Sequence, residues 1–161
     1  MEAWLIEERM MKALVQALRE GRHSLVIADS SGTAEDGNRD GGFLSFDGRG
    51  VSDLYRLLHE APETLRGAQT ADKVVGKGAA ALMALGKVKE VYAEVISEPA
   101  LRLLQAADIR TTYGKLVPHI INREGTGLCP VEIRCQDCQT PEECLARISA
   151  FLNEMRSQAQ S

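Results

Sequence analysis

Two helix starts on either side of one strand constrain this chain more than any other feature of it. The first reads Ala71-Asp72-Lys73-Val74-Val75-Gly76-Lys77-Gly78-Ala79-Ala80-Ala81 and the second Ser97-Glu98-Pro99-Ala100-Leu101-Arg102-Leu103; residues 90–96 between them are rich in Val, Ile and Tyr, as strands are. A strand handing over to a helix and then to another strand is a βαβ crossover, which implies a sheet that is at least partly parallel. A helix leaving a strand's carboxyl end also aims unpaired N–H groups and the positive end of its dipole into the crevice where open α/β sheets bind ligands. A ligand site is therefore expected between the two helix starts.

The rest of the chain fits around that unit. Residues 4–20 place Met11, Leu14, Val15 and Leu18 at helical spacing, and Gly21 stops the run. Residues 24–29 and 43–47 read as the strands of a hairpin whose tip, 30–42, holds mostly Gly, Asp, Ser and Asn. A helix over 51–59 turns Leu54, Leu57 and Leu58 inward, and another is expected over 72–85, closed by Gly86. After the 90–96 strand come a helix to about residue 107 and strands at 109–113 and 116–121, with Pro118 placing the last at an edge. Thr140-Pro141-Glu142-Glu143 is a capping box with proline at the first helical position; it opens a final helix that buries Leu145, Ile148, Phe151, Leu152 and Met155. The expectation is one domain over 1–161, a three-layer α/β/α fold with a mixed sheet of about five strands. Residues 1–22 would form its amino-terminal helix and 127–161 a cysteine-bearing segment and closing helix.

At 161 residues the chain can bury a single core without crosslinks. A net charge of −4 and the lack of a basic stripe with interleaved aromatics argue against nucleic acid as a partner. Glu2, Glu7 and Glu8 among the first apolar residues are unlike a signal peptide, and no apolar run approaches membrane-spanning length. The expected location is the cytoplasm, with no membrane partner; there Cys129, Cys135, Cys138 and Cys144 would be reduced or metal-bound. Homo-oligomerisation stays open.

The element order, together with the stretches ADKVVGKGAAAL at 71–82, KEVYAEVISEPAL at 89–101, VPHIINR at 117–123 and GLCPVE at 127–132, resembles a family of small uncharacterised bacterial proteins with a cytidine-deaminase-like fold. The resemblance covers roughly residues 24–151. It also implies a loss. Deaminases of this fold take a zinc ligand and a proton-shuttling glutamate from a His-Ala-Glu helix start and two cysteines from a Pro-Cys-x-x-Cys start. Here the first start is Val75-Gly76-Lys77-Gly78, and Ala100 and Leu103 fall where the cysteines would be. Without a metal-activated water the zinc-hydroxide mechanism has no nucleophile.

The residues left in the crevice suit an anion. Lys73 and Lys77 are four apart, hence on one helical face, and Gly76 and Gly78 flank Lys77, so a phosphate could approach the backbone closely. The same glycines could instead serve packing, with both lysines solvated. Asp72, Ser97 and Glu98 complete the candidate set; the last two could receive hydrogen bonds from a ribose or simply cap the second helix. Arg49, in Asp47-Gly48-Arg49-Gly50, is a second candidate anion contact or part of a plain turn. Cys129 precedes Pro130 at a helix entry, a setting that lowers a thiol's pKa and could make it reactive. Cys129, Cys135, Cys138 and Cys144 lie within sixteen residues and could wrap zinc or an iron–sulfur cluster, although Cys144 shares a helical register with Ile148 and Phe151, as a core residue would. The functional expectation is a zinc-free deaminase-like domain that binds a nucleotide or nucleotide sugar. The alternative is a redox- or metal-responsive interaction module working through residues 129–144.

Overall fold

The computed structural model describes residues 2–29, 39–40, 43–48, 51–122 and 124–160. Helix α1 (Glu2–Gly21) leads into β1 (Leu25–Ala28), β2 (Arg39–Asp40) and β3 (Phe43–Phe46); α2 (Ser52–Glu60) and a 3₁₀ turn at Pro62–Thr64 follow. Then come β4 (Gln69–Val75), α3 (Lys77–Leu85), β5 (Glu90–Ser97), α4 (Glu98–Ala106), β6 (Arg110–Val117), α5 (Pro130–Cys135) and α6 (Pro141–Gln160). Arg39 and Asp40 aside, the hairpin tip expected over 30–42 lies outside the described residues, as does Arg49.

The sheet is mixed, in the order β2-β3-β1-β4-β5-β6. β1 runs antiparallel to both β3 and β4, whereas β4, β5 and β6 are parallel. The five longer strands match the expected number, and β2 adds a two-residue margin on β3. Helices cover both faces. On one, Met11, Leu14 and Leu18 of α1 pack on Val26, Ala28, Ala71 and Tyr92. On the other, α2, α3 and α4 share the larger core, and α6 lies over α3 with Cys144 and Ile148 facing inward. Residues 78–83 of α3 are buried without a gap, because a helix apolar on every side must be covered on every side. Among the described residues no helix is long and apolar enough to cross a membrane.

Two expected boundaries are corrected. Residues 72–75 belong to β4, not to a helix over 72–85, and α3 begins at Lys77. β4 is a central strand with Gln69–Asp72 buried on both faces, so it lacks the alternation that marks half-buried strands, and Asp72 and Lys73 interrupt its apolar run. Likewise 109–113 and 116–121 are not two strands: β6 runs unbroken through Gly114 to Val117, at the sheet edge, before the chain leaves at Pro118.

The three parallel strands share one irregularity. Asp72 pairs with Ala93 and Ala93 with Tyr113, then Val74 with Val95 and Val95 with Lys115, so Lys73, Glu94 and Gly114 have no ladder partner at that level. Across this break the side-chain alternation changes phase. Ala93 and Ile96, three apart, both enter the larger core, and Lys73 and Val74 are consecutively exposed. A Cβ on Gly114 would lie 2.9 Å from the Glu94 carbonyl oxygen, so this level of the sheet requires glycine in β6.

Candidate functional site

The carboxyl ends of β4, β5 and β6 meet the starts of α3 and α4, as a ligand crevice would require, but the chain fills the space beside α3 itself. Gly76 caps α3 in an extended conformation without a side-chain partner. The Lys77 backbone N–H donates instead to Glu132 Oε1 at 2.9 Å, and Glu132 Oε2 accepts the Ile120 N–H at 2.6 Å. Glu132 comes from α5 and is 4% exposed. The seat that a helix amino terminus offers to an anion therefore holds the protein's own carboxylate. A Cβ on Gly76 would stand 3.2 Å from both Glu132 Oε1 and Ile120 Cγ1, so the glycine admits these two side chains. A Cβ on Gly78 would come within 2.4 Å of Val131 Cγ1, which makes that glycine the packing point of α5 on α3.

The Lys77 side chain leaves the crevice altogether. Its Nζ donates to the carbonyl oxygens of Cys138 at 2.7 Å and Gln136 at 3.3 Å, tying α3 to the α5–α6 connection. In α4, Ser97 is buried and its Oγ accepts the Ala100 N–H at 3.3 Å, an N-cap; Glu98 is exposed in the first turn. Asp72 and Lys73, expected on the α3 helix face, are strand residues. The Asp72 carboxylate accepts the Val74 N–H at 3.2 Å, and its pKa is pushed up to about 7, mainly by burial and further by the negative charge of Asp53, against the opposing effect of the Val74 and Lys73 backbone N–H groups. Lys73 is exposed.

The donor set at the two helix starts does not fit zinc. Ala100 is fully buried in the core and Leu103 packs against it, while Gly76, Lys77 and Gly78 offer no ligand side chain. Farther along, Cys135, Cys138 and Cys144 are all buried in the larger core, and Cys129, the N-cap residue of α5, is half-buried at its margin. The Cys135 Sγ stands 4.0 Å from the Cys144 carbonyl oxygen. Hydrogen bonding between these two thiols lowers the pKa of Cys135 and raises that of Cys144; burial raises that of Cys138. Among the described residues, no group of three His, Cys, Asp or Glu side chains is arranged to hold a metal ion.

What stays open at the strand ends is a groove of about 450 Å³. Val74, Val95 and Val117, one from each parallel strand, line it together with His119, Ile121 and Leu128 from the segment after β6. Val75 and Ile96 turn into the larger core, so Val74 and Val95 face the opposite side, the side that carries α1. Val74 is 42% and Ile121 55% exposed, a large apolar exposure for residues brought together at one place. Lys115 pairs in register with Val95 and hence shares its face; it and Lys73 are exposed cations beside the apolar surface. Sequence reasoning missed this groove because Val74 read as helix and residues 116–121 as strand. The adjacent valines before Gly76 were its one signal, since alternation would have exposed only one of them.

A profile described as TM1506, a domain of unknown function (DUF1893), matches residues 13–152. A crystal structure of a DUF1893 family protein (TM1506) from Thermotoga maritima is similar in fold, with a TM-score of 0.75 at 22% sequence identity over 89% of this chain and 90% of that one. Among curated proteins none is significantly similar in sequence.

Proposed function

Since the chain belongs to the DUF1893 (TM1506) family, a domain of unknown function, we propose a role from its geometry: it is a metal-independent, deaminase-like domain that binds a nucleotide or nucleotide sugar in the groove beside β4, β5 and β6. The observation that carries this reading is the 450 Å³ groove at the carboxyl ends of three parallel strands, the position and size at which α/β sheets take small ligands. Its aliphatic floor suits the face of a base, and Lys73 and Lys115, exposed and without an ion pair among the described residues, can meet phosphate oxygens. The strand order, with β1 running antiparallel between β3 and β4, and α3 and α4 following β4 and β5, support the deaminase-like assignment. The filled α3 start moves the expected phosphate contact away from Lys77.

A second reading rests on the thiols. Cys135, Cys138 and Cys144 share one buried region between α3, α5 and α6, so a redox- or metal-responsive module working through them is the alternative. Native mass spectrometry of the freshly purified protein separates the two. The first reading expects a retained or added adduct with AMP or ADP-ribose that weakens in Lys115→Met by about tenfold, the scale of one charge-assisted hydrogen bond. A metal mass that disappears in Cys135→Ser, with no nucleotide adduct, would favour the second.

A further inference from the structure

The α1 side of the sheet carries a second groove, of about 410 Å³, at the opposite ends of β5 and β6. Arg19 separates the two regions: its side chain donates to Glu94 Oε1 at 2.6 Å and to the Tyr92 hydroxyl at 2.9 Å. The second groove has a different chemistry. Met11 and Tyr92 give it an apolar base, and four charged side chains line it in two pairs of opposite sign. Glu8 and Lys12 lie one turn apart on α1, both exposed, and neither makes an ion pair among the described residues. Glu90 and Arg110 open β5 and β6 and pair in register, with Arg110 Nη1 4.0 Å from Glu90 Oε1.

Glu90 is the built part of this surface. It is only 8% exposed, and its Oε1 accepts a hydrogen bond from Gln69 Nε2 at 3.0 Å. The same amide group donates to the Glu7 carbonyl oxygen of α1 at 2.8 Å, so helix and sheet together fix the carboxylate. The Arg110–Glu90 separation is too long for a tight pair, which leaves both groups with capacity for another partner. With two carboxylates and two cations the groove has no net charge, so a purely anionic or purely cationic ligand would meet repulsion from half of it. A small molecule bearing both charges and an apolar body satisfies all four groups and the base at once.

We propose that this groove is a binding site for a small zwitterion, a free α-amino acid with an apolar or aromatic side chain. Its ammonium group meets Glu8 and Glu90, its carboxylate meets Lys12 and Arg110, and its side chain lies on Met11 and Tyr92. This site is independent of the nucleotide reading and does not share its residues.

The test is titration calorimetry of the full chain with L-phenylalanine, with L-phenylalaninamide, which keeps only the positive charge, and with 3-phenylpropionate, which keeps only the negative one. Saturable binding of L-phenylalanine is expected, weakened about tenfold in each analogue and in both Lys12→Met and Glu90→Gln, the scale of one charge-assisted contact. Lys12 and Glu8 are exposed helix residues, so Lys12→Met and Glu8→Gln decide the matter if circular dichroism finds Glu90→Gln unfolded. Absence of saturable binding by L-phenylalanine and L-leucine, equal binding of the three phenylalanine-derived probes, or unchanged affinity in Lys12→Met would overturn the proposal.

Discussion

Asp72 is a buried carboxyl whose environment disfavours its charge. It stands in a central strand, and burial and Asp53 outweigh the two backbone N–H groups that favour its ionised form, so its pKa rises to about 7. The unfolded chain releases this proton near pH 4, as ordinary aspartates do. Between those values the folded state holds more protons than the unfolded one, so this group's contribution to stability is complete below about pH 4 and lost as pH rises through about 7. The full span is at most about 4 kcal/mol. Asp72→Asn keeps an oxygen for the Val74 N–H and removes the titration. Urea unfolding at a series of pH values should give a wild type that loses stability from pH 4 to 7 relative to Asp72→Asn; parallel profiles would mean that Asp72 ionises as an exposed aspartate does.

At the scale of elements, the start of α3 is held by α5 through a carboxylate and by the α5–α6 connection through a lysine. Both contacts are structural in consequence. Glu132→Ala leaves the Lys77 and Ile120 N–H groups without their acceptor, and Lys77→Met leaves two carbonyls of a tight connection unpaired. We expect Glu132→Ala to cost about 2–4 kcal/mol and Lys77→Met about 1–2 kcal/mol in equilibrium unfolding, since bonds to charged groups are stronger than neutral ones and an orphaned buried donor adds its own penalty. A phosphate-binding lysine would behave differently: Lys77→Met would then leave the unfolding midpoint where it was.

The same elements indicate what a sequence can disclose. The βαβ unit, the capped final helix and the inward register of Cys144 with Ile148 were all legible, because each rests on local chemistry repeated at a fixed period. β4 was not, because a strand buried on both faces has no period to read and its charged pair resembled a helix entry. Glu132 could not be found either. Its role depends on α5 folding back across more than fifty residues to Gly76 and Lys77, and a Pro-Val-Glu helix entry looks the same whether its carboxylate meets water or another helix.

For the molecule as a whole, these details redistribute the open surface. α3 is buried on all sides, its amino terminus is occupied, and the α4 start is capped by Ser97, so the crevice on the α3–α4 side is largely committed to holding the fold. The α1 side differs. There α1 packs mainly on β1 and β4, leaving β5 and β6 bordered by two grooves of unlike chemistry. The phase change at Lys73, Glu94 and Gly114 delivers Val74 and Val95 to that side. On the proposed function, ligand recognition belongs to this face and not to the start of α3. Amide chemical-shift mapping during titration with ADP-ribose distinguishes the two locations. Shifts clustered at Lys73, Val74, Val95, Lys115, Val117 and His119 are expected, with Gly76, Lys77 and Glu132 unmoved. Shifts concentrated at Gly76–Gly78 and Ser97–Ala100 instead would return the ligand to the helix starts and rule out the groove.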